Sequence, residues 1–264
     1  MYRVPKRFLT LDGQCQHLIK NKSVIINDLS KAKKILLENN YFNLVSCAKV
    51  KFAVDIQKGL AHVYKKSDFD EWVDYFHKDC KVSEYLMHNL IRLERSLNSR
   101  AAYYVSALID SGILSEDEFD DLKNVVQGET DPKKSLYDGT ETWIFIAKKT
   151  FGGFRQVIKW LHKNNQKGII KKIVSGYGFL KKNTLKKIDE LVHLRNNLFH
   201  FRPLSIYLVY GTIRANYSQY NLRREIISDV FFQNPCSSIR PLMVEFFSES
   251  KIFVDLKQGK EIFR

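Results

Sequence analysis

Apolar residues recur at helical spacing along almost the whole chain. The clearest case is residues 83–110, where positions three or four residues apart stay apolar over seven turns. These positions are Leu86, Leu90, Leu93, Leu97, Ala101, Tyr104 and Leu108. Glycine and proline rarely interrupt the pattern, with 12 and 5 residues in the chain. The pattern predicts an all-α helical bundle with one long central helix.

Capping residues and breakers divide the rest of the chain. Asp12 can cap a first helix, and Asp28 or Ser30 a second, which Asn39 and Asn40 would close. Residues 52–64 are ambiguous between turn and extended structure, and an acidic first turn predicts another helix over residues 68–76. Residues 111–137 suit an insertion or linker. Further helices are expected at about 141–150, 153–166, 167–175 and 183–201.

These elements suggest three ranges. We expect residues 1–66 to form an N-terminal helical region packed on the bundle and residues 67–207 to form the bundle itself. Residues 208–264 are a C-terminal extension to which the sequence assigns no role.

Composition excludes several classes of protein. At 264 residues and 44% hydrophobic, the chain can bury a sizeable core. Its four cysteines lie at least 32 residues apart, which is unlike a zinc clip or a redox pair, so we expect reduced thiols and no metal or other cofactor. The sequence contains no signal-peptide pattern and no run of eighteen apolar residues. We therefore expect a cytoplasmic protein without a membrane span.

Positive charge is concentrated in one segment. The chain carries a net charge of +14, and residues 142–188 contain twelve lysines and arginines without any aspartate or glutamate. Such a segment favours a polyanionic partner, and RNA is the expected one. The candidate RNA-binding residues are Lys163, Lys167, Lys171, Lys172, Lys181, Lys182, Lys186, Lys187 and Arg202.

Aromatic residues are interleaved with these charges. Trp143, Trp160, Tyr177 and several phenylalanines of the segment can stack on unpaired bases, as in single-strand binders, or can be core residues at helical spacing. The second interpretation is favoured, so the charge is the stronger indication of RNA binding.

The stretch HLRNNLFHFRPL, residues 193–204, contains several candidate catalytic side chains near a helix end. Asn196 and His200 are four residues apart and share a helix face, whereas Arg195 is offset from His200 by about 140° on an ideal helix. A histidine can move protons near neutral pH, an arginine can grip a phosphate, and an amide can orient either. The set suits phosphodiester cleavage. The alternative is that these residues only cap or solvate the helix end.

Several motifs together resemble the Abi-like proteins of the AbiD/AbiF abortive-infection type, within the HEPN superfamily. They are Asn40-Tyr41-Phe42-Asn43-Leu44 with the following Phe52, the helix HNLIRLERSLNSRAAYYVS, Trp143 followed by Phe151-Gly152, and the motif Arg195-Asn196-x3-His200 with its Arg202 and Leu-x-x-Tyr tail. The likeness extends over about residues 9–207. Only the last motif is chemically specific, because the others are mostly packing signatures.

The resemblance implies a HEPN-type bundle with a metal-independent endoribonuclease site. His200 would be the general acid and base, Arg195 would stabilise the transition state and Asn196 would position them, with Glu94 as a weaker second-layer candidate. The 2′-hydroxyl of RNA would be the nucleophile. Because the chain holds one such motif, a two-motif site needs a homodimer. The implied role is toxin-like phage defence, with a structured non-coding RNA as possible regulator or antitoxin.

Two other classes stay open. In a non-catalytic nucleic-acid-binding protein, which could recognise a structured small RNA, the helix pair at residues 11–40 would enter a groove and the basic segment would bind phosphates. In a protein-interaction bundle, the charge would serve solubility alone. For Glu94, an ion pair with Arg92 or Arg95 is the simpler interpretation.

Overall fold

The computed structural model describes residues 8–55, 62–127, 142–209 and 217–257, and these residues are predominantly helical. The prediction of an all-α bundle is confirmed. Among the described residues, twelve α-helices follow one another: α1 Leu11–Lys22, α2 Leu29–Glu38, α3 Tyr41–Phe52, α4 Phe69–Asp110, α5 Glu116–Gln127, α6 Thr142–Ala147, α7 Phe151–Lys163, α8 Lys167–Ile173, α9 Thr184–Phe199, α10 Leu204–Val209, α11 Tyr217–Phe232 and α12 Arg240–Lys257. A short 3-10 helix, Gly178–Lys181, lies between α8 and α9.

Four short strands accompany the helices near the N-terminus. β1 (Val24–Ile25) pairs in parallel with β4 (Ser67–Asp68), with Val24 opposite Ser67. β2 (Ala53–Asp55) pairs antiparallel with β3 (Val63–Tyr64). The ambiguous stretch 52–64 therefore contains extended structure in its described part.

Side-chain caps explain where several helices begin. Thr10 accepts a hydrogen bond from the backbone N–H of Gly13 and begins α1, so the predicted cap Asp12 lies inside the first turn instead. Asp28 caps α2 through the N–H of Lys31, as the sequence predicted. Ser115 and Glu118 bond each other's backbone N–H groups, which is a capping box for α5.

The central helix is longer than predicted. α4 has 42 residues and joins the two helical stretches that the sequence separated. Its apolar stripe is buried, with Leu86, Leu90 and Leu97 fully enclosed. Asp79 is also buried, so the helix continues through a residue whose polarity interrupts the sequence pattern.

The chain divides into two compact units. The first contains the described parts of Met1–Tyr85, Asn197–Glu225 and Pro235–Arg264, and the second contains those of Leu86–Asn196 and Ile226–Asn234. These units differ from the predicted ranges 1–66, 67–207 and 208–264, because α10 and α12 pack against α3 and so join both ends of the chain in the first unit.

Each unit has an aromatic core. In the first, Trp72 stacks on Phe52 with ring centroids 5.6 Å apart, and Tyr75 contacts Phe246 at 5.2 Å. In the second, Phe151 lies against Phe154 at 5.8 Å, and both are fully buried. Aromatic rings bury large apolar areas, so these clusters stabilise both units.

Among the described helices, none combines the length and the apolar character needed to cross a lipid bilayer.

Candidate functional site

Helix α9 carries the first half of the Arg-Asn-x3-His motif. Ile188, Leu191 and Leu194 are buried on one face, which fixes the rotation of the helix in its unit. Arg195 lies beside that face with 23% of its side chain exposed, and its Nε lies 3.7 Å from Oε2 of Glu94 on α4. Its Nη1 donates to Oδ1 of Asn196 at 3.4 Å. Three candidate residues, Arg195, Asn196 and Glu94, therefore lie together.

Glu94 joins three helices of the second unit. Only 13% of its side chain is exposed, and its other oxygen, Oε1, accepts a hydrogen bond from the backbone N–H of Phe151 at the start of α7. The predicted ion pair is present, but its partner is Arg195 rather than Arg92 or Arg95. Because Glu94 is held by α7, it fixes the position of the Arg195 guanidinium.

His200 belongs to the first unit and follows α9 directly. It is exposed, and its ring meets that of Phe199 edge to face at 5.8 Å. The next residue, Phe201, has a left-handed backbone with φ of 52°. The N–H of Phe201 bonds the carbonyl of Leu198 and the N–H of Arg202 bonds that of Asn197, which is a Schellman motif without its usual glycine.

Two amides brace the segment after His200. Asn43 of α3 donates its Nδ2 hydrogen to the carbonyl of Phe201 at 3.0 Å. Asn197 donates in the same way to the carbonyl of Arg202 at 3.1 Å. These two hydrogen bonds hold the backbone that follows His200, so the position of the exposed histidine is fixed.

A buried carboxylate holds the start of α10, the helix that follows this segment. Asp79 of α4 is 1% exposed and accepts hydrogen bonds from the backbone N–H groups of Leu204 and Ser205, both at 2.8 Å. These are the first residues of α10, whose N–H groups have no partner within the helix. The Oγ of Ser83 and the Sγ of Cys47 also donate to Asp79, at 3.3 and 3.6 Å.

Burial dominates the electrostatics of this cluster. It raises the pKa of the Asp79 carboxyl, although the hydrogen bonds from Ser205 and Leu204 act in the opposite direction. Burial also raises the pKa of the Cys47 thiol well above its usual value, with the nearby Asp79 charge adding to the effect. Cys47 is therefore a protonated core residue at neutral pH.

Seven of the predicted RNA-binding lysines are exposed in the second unit. They follow the end of α7, the length of α8, the 3-10 helix and the first turn of α9: Lys163, Lys167, Lys171, Lys172, Lys181, Lys182 and Lys186. None of these ammonium groups forms an ion pair with a residue that the structure describes. By contrast, Arg155 and Lys159 share Asp189, at 3.7 and 3.0 Å.

Lys187 was predicted to bind RNA with these lysines, but it does not belong to their exposed surface. It is 5% exposed, and its Nζ donates to the carbonyl of Phe179 at 2.8 Å. Lys187 precedes Leu191 by one helical turn and Leu194 by two, so the same spacing that buries the leucines also buries the lysine. Arg202 is exposed, but it lies in the first unit.

The aromatic residues of the basic segment are mostly core residues, as favoured from their spacing. Phe145, Phe151, Phe154 and Trp160 are buried, and the Trp160 indole donates to Asp121 at 2.7 Å. Trp143 is 53% exposed, and Tyr177 and Phe179 are half-buried.

Asp79 is the residue of this region that sequence reasoning missed. It lies 125 positions before its partner Leu204, and no local pattern connects the two. A carboxylate on the apolar stripe of α4 and a proline directly before α10 were the only available signals.

Among the described residues, no group of three or more histidine, cysteine, aspartate or glutamate side chains is arranged to hold a metal ion. Comparison with protein-family models, with curated proteins and with solved structures finds no match to this chain.

Proposed function

We propose that this chain is a metal-independent endoribonuclease in which His200, Arg195 and Asn196 perform the cleavage. The observation that carries the proposal is an exposed histidine on a braced backbone, directly after α9. The segment that leads into α9, together with its first turn, carries seven exposed lysines that have no ion-pair partner among the described residues. The lysines supply the affinity for phosphates, and the histidine supplies the proton transfer.

The proposed reaction is an internal transfer at phosphorus. The 2′-oxygen of a ribose gives its proton to His200 and bonds to the adjacent phosphorus, while the bond from phosphorus to the 5′-oxygen breaks. Protonated histidine returns a proton to that leaving oxygen, so the products are a 2′,3′-cyclic phosphate and a 5′-hydroxyl. Arg195 neutralises charge on the phosphate oxygens, and Glu94 is a positioning residue for Arg195.

The resemblance to abortive-infection proteins extends the proposal. The enzyme would act as a toxin against phage-infected cells, in the cytoplasm, as a homodimer with two facing motifs. A structured non-coding RNA would regulate it or act as its antitoxin.

One observation favours a second candidate function. The Glu94 carboxylate lies beside the Arg195 guanidinium and neutralises its positive charge, which is the arrangement expected of a structural ion pair. In that case the chain is a non-catalytic protein that recognises a structured small RNA through the same lysines.

His200→Ala tests the first candidate. Labelled, partly structured RNA is incubated in EDTA with the wild type, with His200→Ala and with His193→Ala, which removes an exposed histidine within α9. We expect cleavage by the wild type and by His193→Ala, with loss of at least about a hundredfold in His200→Ala. Cleavage by His200→Ala at the wild-type rate refutes the site, and binding by all three without cleavage favours the second candidate.

The basic surface has its own test. Replacing Lys171, Lys172, Lys181 and Lys182 with glutamine should reduce the slope of log binding constant against log salt by roughly 3, if each contacts one phosphate of single-stranded RNA. The matched control replaces four exposed lysines outside the segment: Lys20, Lys34, Lys66 and Lys81. Equal slopes for the two quadruple variants would show that RNA does not contact this surface.

A further inference from the structure

A polar cavity of about 310 Å³ lies within the second unit. Its walls are the middle of α4, the residue before the 3-10 helix and the residues after α11, and they include one leucine. The polar lining residues are Asn89, Arg92, Ser96, Tyr177, Gln233 and Asn234. The lining includes a guanidinium but no carboxylate, and the volume is at the lower end of the range for small-molecule sites.

Asn89 contributes a buried group that lacks a partner. The residue is 2% exposed, and its Nδ2 donates to the carbonyl of Val230 at 3.2 Å. Its Oδ1 is buried and has no hydrogen-bond partner among the residues that the structure describes. Buried polar atoms are nearly always satisfied, so a ligand that supplies an N–H or O–H donor to Asn89 accounts for this oxygen.

Arg92 contributes the charge. It forms neither a hydrogen bond nor an ion pair within the described part of the chain. A guanidinium offers donors in a planar fork that matches phosphate or carboxylate oxygens. The ligand therefore carries an anionic group as well as a donor, a combination that a simple apolar molecule does not provide.

Tyr177 supplies an aromatic wall. It is half-buried, and its ring is held edge to face against Phe179 at a centroid distance of 6.3 Å. A ring held in this way is a surface on which a planar base can stack.

We propose that this cavity binds a nucleoside monophosphate, either free or as the 5′-phosphorylated end of an RNA. The phosphate lies against Arg92, a hydroxyl or amino group of the nucleoside donates to Asn89 Oδ1, and the base stacks on Tyr177. None of these residues belongs to the Arg195–His200 motif, so the proposal does not depend on the cleavage activity.

Isothermal titration calorimetry of the full chain tests it with the four ribonucleoside 5′-monophosphates and with a short RNA carrying a 5′-phosphate. Adenosine, ribose 5-phosphate and the same RNA with a 5′-hydroxyl are the comparison ligands. We expect one site for at least one phosphorylated nucleoside, with adenosine and ribose 5-phosphate at least tenfold weaker. Binding by the phosphorylated RNA but by no free nucleotide would assign the site to an RNA end.

Arg92→Gln is the decisive variant, and Arg95→Gln is its matched control, because Arg95 is exposed on the same helix but does not line the cavity. Loss of the charged hydrogen bonds should weaken binding at least tenfold in Arg92→Gln and leave Arg95→Gln like the wild type. An unchanged urea midpoint confirms that both variants fold.

Three results overturn the proposal. They are no binding of any phosphorylated nucleoside or RNA end at millimolar concentration, equal affinity in Arg92→Gln and the wild type, and ribose 5-phosphate binding as tightly as the nucleotides. The last result would reduce the cavity to a site for a phosphorylated sugar.

Discussion

Asp79 offers the sharpest test of how the segment after His200 is supported. Replacing it with alanine leaves the backbone N–H groups of Leu204 and Ser205 without an acceptor, in residues that are 1% and 0% exposed. Each buried, unsatisfied donor costs about 1–3 kcal/mol. Removing a buried carboxylate also removes its own cost of burial, which offsets part of the loss. We expect Asp79→Ala to lower the free energy of unfolding by about 2–4 kcal/mol.

Urea denaturation followed by circular dichroism measures this loss. Asp79→Asn keeps one carbonyl oxygen for one of the two N–H groups, so we expect about half the effect. Asp74→Ala is the matched control on the same helix, because Asp74 is exposed and, among the described residues, pairs only with Lys78 at 2.9 Å. Its cost should stay below about 1 kcal/mol.

Hydrogen exchange locates the effect. The amides of Leu204 and Ser205 should lose protection in Asp79→Ala and keep it in Asp74→Ala. If Asp79→Ala is within about 0.5 kcal/mol of the wild type, or no worse than Asp74→Ala, then Asp79 does not hold the start of α10.

Three further predictions concern stability. Burial raises the pKa of Asp79 above its usual 3.8, so the folded chain keeps this proton where the unfolded chain has lost it. The resulting stability is complete below pH 3.8 and is lost as the pH rises through the folded-state pKa. The stability of the wild type relative to Asp79→Asn should therefore fall as the pH rises above 3.8, and a difference that stays constant with pH would contradict this prediction. Phe201→Gly should be more stable than Phe201→Ala by about 0.5 kcal/mol, because glycine adopts the left-handed backbone without a Cβ clash. The urea midpoints of the two variants measure this difference, and a less stable glycine variant would exclude strain at this position. Leu97→Ala should cost about 2–5 kcal/mol, since Leu97 is fully buried on α4, whereas a loss below about 1 kcal/mol would mean that the core collapses into the space.

Local periodicity made most of the fold predictable. The leucine stripe of α4 and the buried face of α9 follow from spacing alone, because each depends on residues within a few turns. The break predicted within α4 arose where the stripe includes Asp79, a polar residue at a buried position. Its burial depends on N–H groups 125 and 126 positions away, which no local pattern contains.

The candidate site was predictable to a similar degree. The motif and the exposed lysines follow from charge and spacing, and the same spacing analysis would have assigned Lys187 to the core. The contact of Glu94 with Arg195 was not predictable, since it depends on the rotation of α9 relative to α4 and on the N–H of Phe151. The cavity around Asn89 combines three distant segments and has no sequence signature.

The discontinuous first unit has a consequence for synthesis. α3 packs against α12, so the early helices have their final partner only after α12 has left the ribosome. At about 5–20 residues per second, the 188 residues from Ala53 to Arg240 take roughly ten to forty seconds to make. During that interval, the apolar side chains of α3 lack the surface that later covers them. The first unit is therefore completed only once α12 has been made, and a nascent chain stalled before α12 is an expected substrate for chaperones.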